Sequence, residues 1–127
     1  MGLQAAIAVG GGAAIGAWLR WWLGATLNSV FPTLPLGTLA ANLVGGYLIG
    51  VAVEFFLHHS SFPGELRLFV ITGVLGGLTT FSTFSAEAVH LLTRTQYAWA
   101  LAHVAFHLLG SLGMTVLGII TMRWIQG

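Results

Sequence analysis

The spacing of its charges limits what this chain can fold into more than any other feature. Four Arg and three Glu, with no Lys or Asp, are all the formal charges in 127 residues. Soluble domains carry about 25% charged residues to face water, whereas here the share is 6%. Between the charges lie four mostly apolar stretches, each near the length of about 20 residues that a bilayer-crossing helix needs. Their approximate bounds are 3–27, 36–57, 66–92 and 97–124. The chain therefore reads as an all-α membrane protein, a single transmembrane domain of four helices spanning 1–127. Pro32 and Pro35 mark the first turn, Pro63-Gly64 the second and Arg94 to Gln96 the third, and Trp99 and Trp124 stand where interfacial aromatics usually lie. Connections this short predict that sequential helices are antiparallel neighbours.

The same composition excludes several classes. A net charge of +1 without any Lys cluster is no footprint of a nucleic-acid binder. Zero cysteines remove disulfides, thiolate chemistry and Cys-ligated metals. The first apolar run has no basic residues before it, so it reads as a retained span rather than a cleaved leader.

With four spans, Arg67 and Arg123 fall on the side of the termini, and Arg20 and Arg94 fall opposite. A two-two split gives the positive-inside rule nothing to act on. A chain without orientation preference can insert both ways. Two opposed copies then pair about an axis in the membrane plane, so dual topology and an inverted homodimer are expected.

Each span shows small or polar residues at four-residue spacing, the pattern by which helices associate in lipid. Gly12, Gly16, Arg20 and Gly24 share one face of the first span, Thr38, Asn42, Gly46 and Gly50 one face of the second, and His103, His107, Ser111 and Thr115 one face of the fourth. The glycines read as packing surfaces. Asn42 reads two ways, as a bond to a neighbouring helix or as a pair of N–H donors to a passing anion. His103 and His107 also read two ways, as polar lining or as ligands to a metal or haem. Against the second stands the expectation that Glu54, Glu65 and Glu87 all lie toward helix ends, which leaves no carboxylate at comparable depth.

The third span is the most informative. Gly73, Gly76 and Gly77 precede Thr-Thr-Phe-Ser-Thr-Phe-Ser at 79–85, with Glu87 just beyond. Adjacent glycines followed by β-branched threonines make a poor helix centre, so a break is predicted between Gly76 and Thr80. Carbonyls freed there must bond neighbours or face a polar cavity, where they can also hold a cation. Phe81 and Phe84 share a face, and an aromatic edge is the positive part of its quadrupole. With the hydroxyls of Ser82, Thr83 and Ser85, they describe a conduit of neutral donors suited to a small, strongly hydrogen-bonding anion.

These residues carry a resemblance. Gly76-Gly77-Leu78-Thr79-Thr80-Phe81-Ser82-Thr83-Phe84-Ser85, with Gly37-Thr38-Leu39-Ala40-Ala41-Asn42 and the Gly16–Arg20 segment, resembles the Fluc/CrcB fluoride channels over essentially the whole chain. The resemblance implies a non-enzymatic, multi-pass protein of the inner (plasma) membrane, an antiparallel homodimer that lets fluoride leave the cell passively. It places Asn42, Phe81, Ser82, Thr83, Phe84, Ser85 and Thr115 on the fluoride pathway, Arg20 and Glu87 at a vestibule or pore end, and the backbone carbonyls of Gly76 and Thr79 on a structural Na⁺ at the dimer centre. The rival readings are a small dual-topology drug/proton antiporter, which needs an ionisable group deep in the membrane, and a haem- or quinone-binding anchor subunit resting on His103 and His107. Reporters fused to the C-terminus are expected to signal from both sides of the membrane, and signal from one side alone would refute dual insertion.

Overall fold

The computed structural model describes residues 2–127, and all regular structure among them is helical. α1 (Leu3–Leu27) and α2 (Leu36–His58) are unbroken. The third span is built of pieces: α3 (Gly64–Arg67), eight residues of wider π-helix (Leu68–Leu75), the single turn α4 (Gly76–Leu78), two extended residues, and α5 (Phe81–Thr93). α6 (Tyr97–Gln126) closes the chain. Among the described residues, α2, the broken third span and α6 are long and apolar enough to cross a membrane. α1 is 25 residues long and carries Gln4 and Arg20 within its apolar run. Asn28 ends α1 and starts α2, its Oδ1 accepting the amides of Gly37 at 2.8 Å and Thr38 at 3.1 Å, so two otherwise orphan donors of the helix start are satisfied.

The tightest pairings join alternate spans rather than sequential ones. α2 lies along α6, and α1 along the π-helix and α4. In both pairs the register rises together, so the paired helices run parallel. Asn42 meets His107, Gly46 meets Ser111, and Gly50 meets Thr115 and Ile119. Gly12 meets Phe69 and Gly73, and Gly16 meets Val74 and Leu78. The expected antiparallel neighbours, α1 with α2 and α5 with α6, also touch, less extensively. The reason is steric: the glycine stripes allow backbone-to-backbone approach, and dispersion falls off steeply with any gap.

This packing leaves a core of small residues and polar groups. Ala41 is fully buried, Leu75 and Leu78 pack beside it, and the largest fully buried side chain is His103. Large apolar residues such as Trp18, Trp21, Leu109 and Trp124 face outward. At the opposite end, buried Glu54 on α2 accepts from Arg123 Nε on α6 at 3.1 Å, which ties the two helices together.

A Cβ at Gly50 would overlap the Thr115 carbonyl and lie 3.0 Å from the Ile119 amide, whereas one at Gly64 meets nothing. Gly50→Ala is therefore expected to lower stability by about 1–3 kcal/mol, the usual cost of overpacking. Thermal unfolding in detergent checks this, with Gly64→Ala remaining close to wild type.

Candidate functional site

The break falls where the adjacent glycines and threonines place it. Thr79 and Thr80 are extended, with φ and ψ of −84° and 154° and of −148° and 119°. Thr80 caps α5, its Oγ1 accepting the Thr83 amide at 3.1 Å and donating to Thr83 Oγ1 at 3.1 Å. The backbone of Thr80 is met by one side chain from the neighbouring helix. Asn42 Oδ1 accepts the Thr80 amide at 2.8 Å, and Asn42 Nδ2 donates to the Thr80 carbonyl at 3.0 Å. A carboxamide here reproduces the two-bond pairing of a β-bridge, so the interrupted backbone stays satisfied inside the membrane.

That pairing has two consequences. First, the orientation of the Asn42 amide is settled by the backbone, because the amide N–H must meet oxygen and the carbonyl must meet nitrogen. The second hydrogen of Nδ2 then points to His107 Nδ1 at 3.0 Å, which makes Nδ1 an acceptor and puts the ring hydrogen of neutral His107 on Nε2. Second, with the Thr80 amide drawn to Asn42 and the Thr83 amide drawn to Thr80 Oγ1, the carbonyls of Gly76 and Thr79 lose the amides that would meet them in a continuous helix. These two oxygens fit the donor chemistry of a hard cation such as Na⁺. Arg20 reaches the break from α1, with Nε donating to the Gly77 carbonyl at 3.0 Å.

Two cavities flank this junction. The larger, about 590 Å³, is walled by Asn42, Gly76, Thr79, Thr80, Phe81, Phe84, His107 and Ser111 together with apolar residues of α2 and α6, and no Arg or Glu lines it. Phe81 and Phe84 meet edge-on, with centroids 5.5 Å apart at 60°. Phe84 also stacks on His103 at 5.3 Å, whereas Phe81 is 79% exposed. The smaller cavity, about 270 Å³, lies on the α1 side and is lined by Arg20, Asn28, Thr38, Thr80 and Thr83.

The residues singled out from sequence are thus distributed unevenly. Asn42, Gly76, Thr79, Phe81 and Phe84 line the larger cavity, and Arg20 and Thr83 the smaller. Ser82 lies near the cap, its hydroxyl 3.4 Å from that of Thr80, and Ser85 is half-buried away from both cavities. Thr115 is not brought to the slot. Its hydroxyl donates to the Gly46 and Ser111 carbonyls at 2.9 and 3.0 Å, clipping α2 to α6.

Glu87 departs from expectation. It sits in the second turn of α5, but α5 begins at the break, inside the molecule, so proximity to a helix end does not place this carboxylate near water. Its Oε2 accepts from the Thr38 hydroxyl at 2.7 Å, and its Oε1 lies 3.5 Å from His103 Nε2. The absence of a carboxylate beside the histidines is therefore corrected: ligand atoms of Glu87, His103 and His107 all lie within 4.8 Å of one another, a buried cluster able to hold a cation. Thr38, one turn before Asn42 on the same face, is the residue of this network that spacing alone did not mark as functional.

Taken together, these features define a multi-pass, all-α membrane protein with a neutral polar slot beside a broken helix. The profile described as CrcB-like protein, Camphor Resistance (CrcB), matches residues 7–119. The chain is 68% identical over 125 residues to the fluoride-specific ion channel FluC of Nitrosospira multiformis, covering 98% of each chain. It is 58% identical over 123 residues to the FluC of Cupriavidus metallidurans, covering 97% of this chain and 98% of the relative. It is 54% identical over 125 residues to the FluC of Pseudomonas putida, covering 98% of each. The chain belongs to the CrcB/FluC family.

Asn42→Ala would leave the amide and carbonyl of Thr80 unpartnered at about 1–3 kcal/mol for each group. A lowered unfolding temperature in detergent is expected, together with loss of protection of the Thr80 amide in hydrogen exchange.

Proposed function

We propose that this protein is a fluoride channel, not an enzyme, through which cytoplasmic fluoride leaves the cell down its electrochemical gradient. The observation that carries this reading is the larger cavity, whose wall offers phenyl edges, hydroxyls and a carboxamide and no fixed formal charge. Neutral donors suit a small anion that must be both recognised and released, because a ring of Arg would hold it too strongly. The family membership and the FluC relatives support the same ion.

The pathway of this reading runs past Asn42, Phe81 and Phe84, with Ser82 and Thr83 contributing hydroxyls and Arg20 and Glu87 flanking it; the Ser85 hydroxyl lies away from both cavities and the Thr115 hydroxyl is held by the Gly46 and Ser111 carbonyls. Both hydrogens of Asn42 Nδ2 are engaged, one by Thr80 and one by His107. A fluoride ion at this wall therefore takes its hydrogen bond by exchange with His107 Nδ1, not by finding a free donor. Phe81 is left open by its own subunit, which supports a second copy lying against it. In the dimer the two copies are inserted oppositely in the inner membrane, consistent with the two-two division of arginines, and each four-helix domain contributes to two pores. Na⁺ at the dimer centre is held by the Gly76 and Thr79 carbonyls, two from each subunit, and its role is structural.

The energetics need no coupling site. Hydrogen fluoride crosses the bilayer unaided and its anion is trapped at neutral internal pH, while a negative-inside potential drives the anion outward with about 2.3 kcal/mol per 100 mV. The antiporter reading requires a proton to be exchanged for a bulky cation. Glu87 is partly buried, but it is bonded to Thr38 and does not line the larger cavity.

Liposomes loaded with fluoride or chloride test the reading directly: rapid fluoride efflux with little chloride efflux is expected, and absent fluoride flux overturns it. In the same assay Phe81→Ile is expected to abolish efflux while eluting as a dimer, and undiminished efflux would remove the aromatic edge from the mechanism.

A further inference from the structure

The cluster of Glu87, His103 and His107 is not used by the conduction scheme above as a unit, yet it is the most chemically specific group of side chains in the molecule. His103 and His107 are 2% and 4% exposed, on successive turns of α6, and Glu87 faces them from α5. Two polar atoms of the cluster, Glu87 Oε1 and His107 Nε2, are buried without a hydrogen-bond partner. Unpartnered buried polar atoms are uncommon, and two in one cluster indicate that something else completes it.

We propose that Glu87, His103 and His107 form a site for a divalent first-row transition ion of the zinc and copper class, and that its occupation blocks the anion pathway. The donor set selects the ion. Two imidazoles and one carboxylate suit zinc or cupric ions, whereas Na⁺, Mg²⁺ and Ca²⁺ favour oxygen alone. This separates the cluster from the carbonyls of Gly76 and Thr79. The geometry is close to what is needed: ligand atoms about 2.0–2.2 Å from a tetrahedral ion lie roughly 3.3–3.6 Å apart. Glu87 Oε1 and His103 Nε2 are already 3.5 Å apart, and on binding an ion Nε2 gives up its 3.3 Å hydrogen bond to the Phe84 carbonyl as the ring hydrogen moves to Nδ1. The widest separation in the cluster, within 4.8 Å, closes by about an ångström through side-chain rotation. Three protein ligands leave the fourth position for water or an anion.

The block follows from the Asn42 bond. To bind an ion, His107 Nε2 must present its lone pair, which moves the ring hydrogen to Nδ1. There it opposes the Asn42 Nδ2 hydrogen, whose direction the Thr80 backbone dictates. Ion binding and the Asn42–His107 bond therefore exclude each other, and the wall that serves the anion is rearranged whenever the ion is present. Block of fluoride flux rests on the channel reading of the preceding subsection; ion binding does not.

Two readouts on the full-length protein separate these statements. Purified protein in nanodiscs is titrated with Co²⁺, followed by its visible absorption, and with Zn²⁺ by calorimetry. One ion per subunit is expected, with four-coordinate cobalt bands, unchanged in a His58→Ala/His59→Ala variant and weakened at least about tenfold by His103→Gln. In fluoride-loaded liposomes, Zn²⁺ is expected to inhibit wild-type efflux and to spare His103→Gln, whose folding is verified by its elution and unfolding temperature. Binding that is absent, or that survives His103→Gln, overturns the site. Binding that leaves fluoride efflux unaffected overturns the block. Wild-type protein that binds Zn²⁺ but passes no fluoride in metal-free buffer supports the site and overturns the channel reading instead.

Discussion

A helix interrupted inside a membrane exposes backbone groups where no water can meet them, and the rest of this structure is arranged around meeting that demand. One side chain, Asn42, takes both polar groups of Thr80. For it to do so, α2 must approach the broken span closely. Gly45 supplies that approach, because a Cβ there would overlap the Thr79 methyl group. The break, the carboxamide and the glycine are thus one unit spread over two helices. Losing any of the three would leave the other two without purpose.

The same requirement explains an interior that inverts the usual order of side chains. Water-soluble proteins put large apolar groups inside; here alanine, glycine, threonine and histidine share the interior with Leu34, Leu75, Leu78 and Leu91, while the tryptophans and many other leucines face outward. In lipid there is no hydrophobic gain from burying leucine. Close contact and satisfied hydrogen bonds do the work instead, as in the Thr115 clip to Gly46 and the Arg20 bond to Gly77. Both couple a side chain on one helix to a carbonyl on another.

Much of this is legible in the sequence. Charge spacing marks the spans, the Gly-Gly and Thr-Thr pairs mark the break, and the four-residue stripes mark the faces that meet. Two features were not legible, for physical reasons. The depth of Glu87 is hidden because a helix end normally means the membrane surface, and here α5 starts in the interior. The commitment of the Thr115 hydroxyl is hidden because a threonine on a polar stripe can face a cavity or a neighbouring carbonyl, and only the α2–α6 register decides between them. Likewise, short connections predict which helices are adjacent in sequence and say little about which pack most closely. Glycine placement decides that, and it pairs helices two apart.

Asn42 has one further consequence. Both hydrogens of its carboxamide are committed, each to a different acceptor, and its oxygen serves the Thr80 amide. A group in that condition is a fixed point, held by the backbone on one side and free to trade partners only on the other. On the channel reading proposed above, such a side chain would act as a relay contact, at which imidazole, halide or water would be compared on identical geometry. Discrimination of this kind depends on how well a visitor accepts one well-aimed hydrogen bond and very little on its charge. That is a property in which a small, hard ion differs most from its larger congeners.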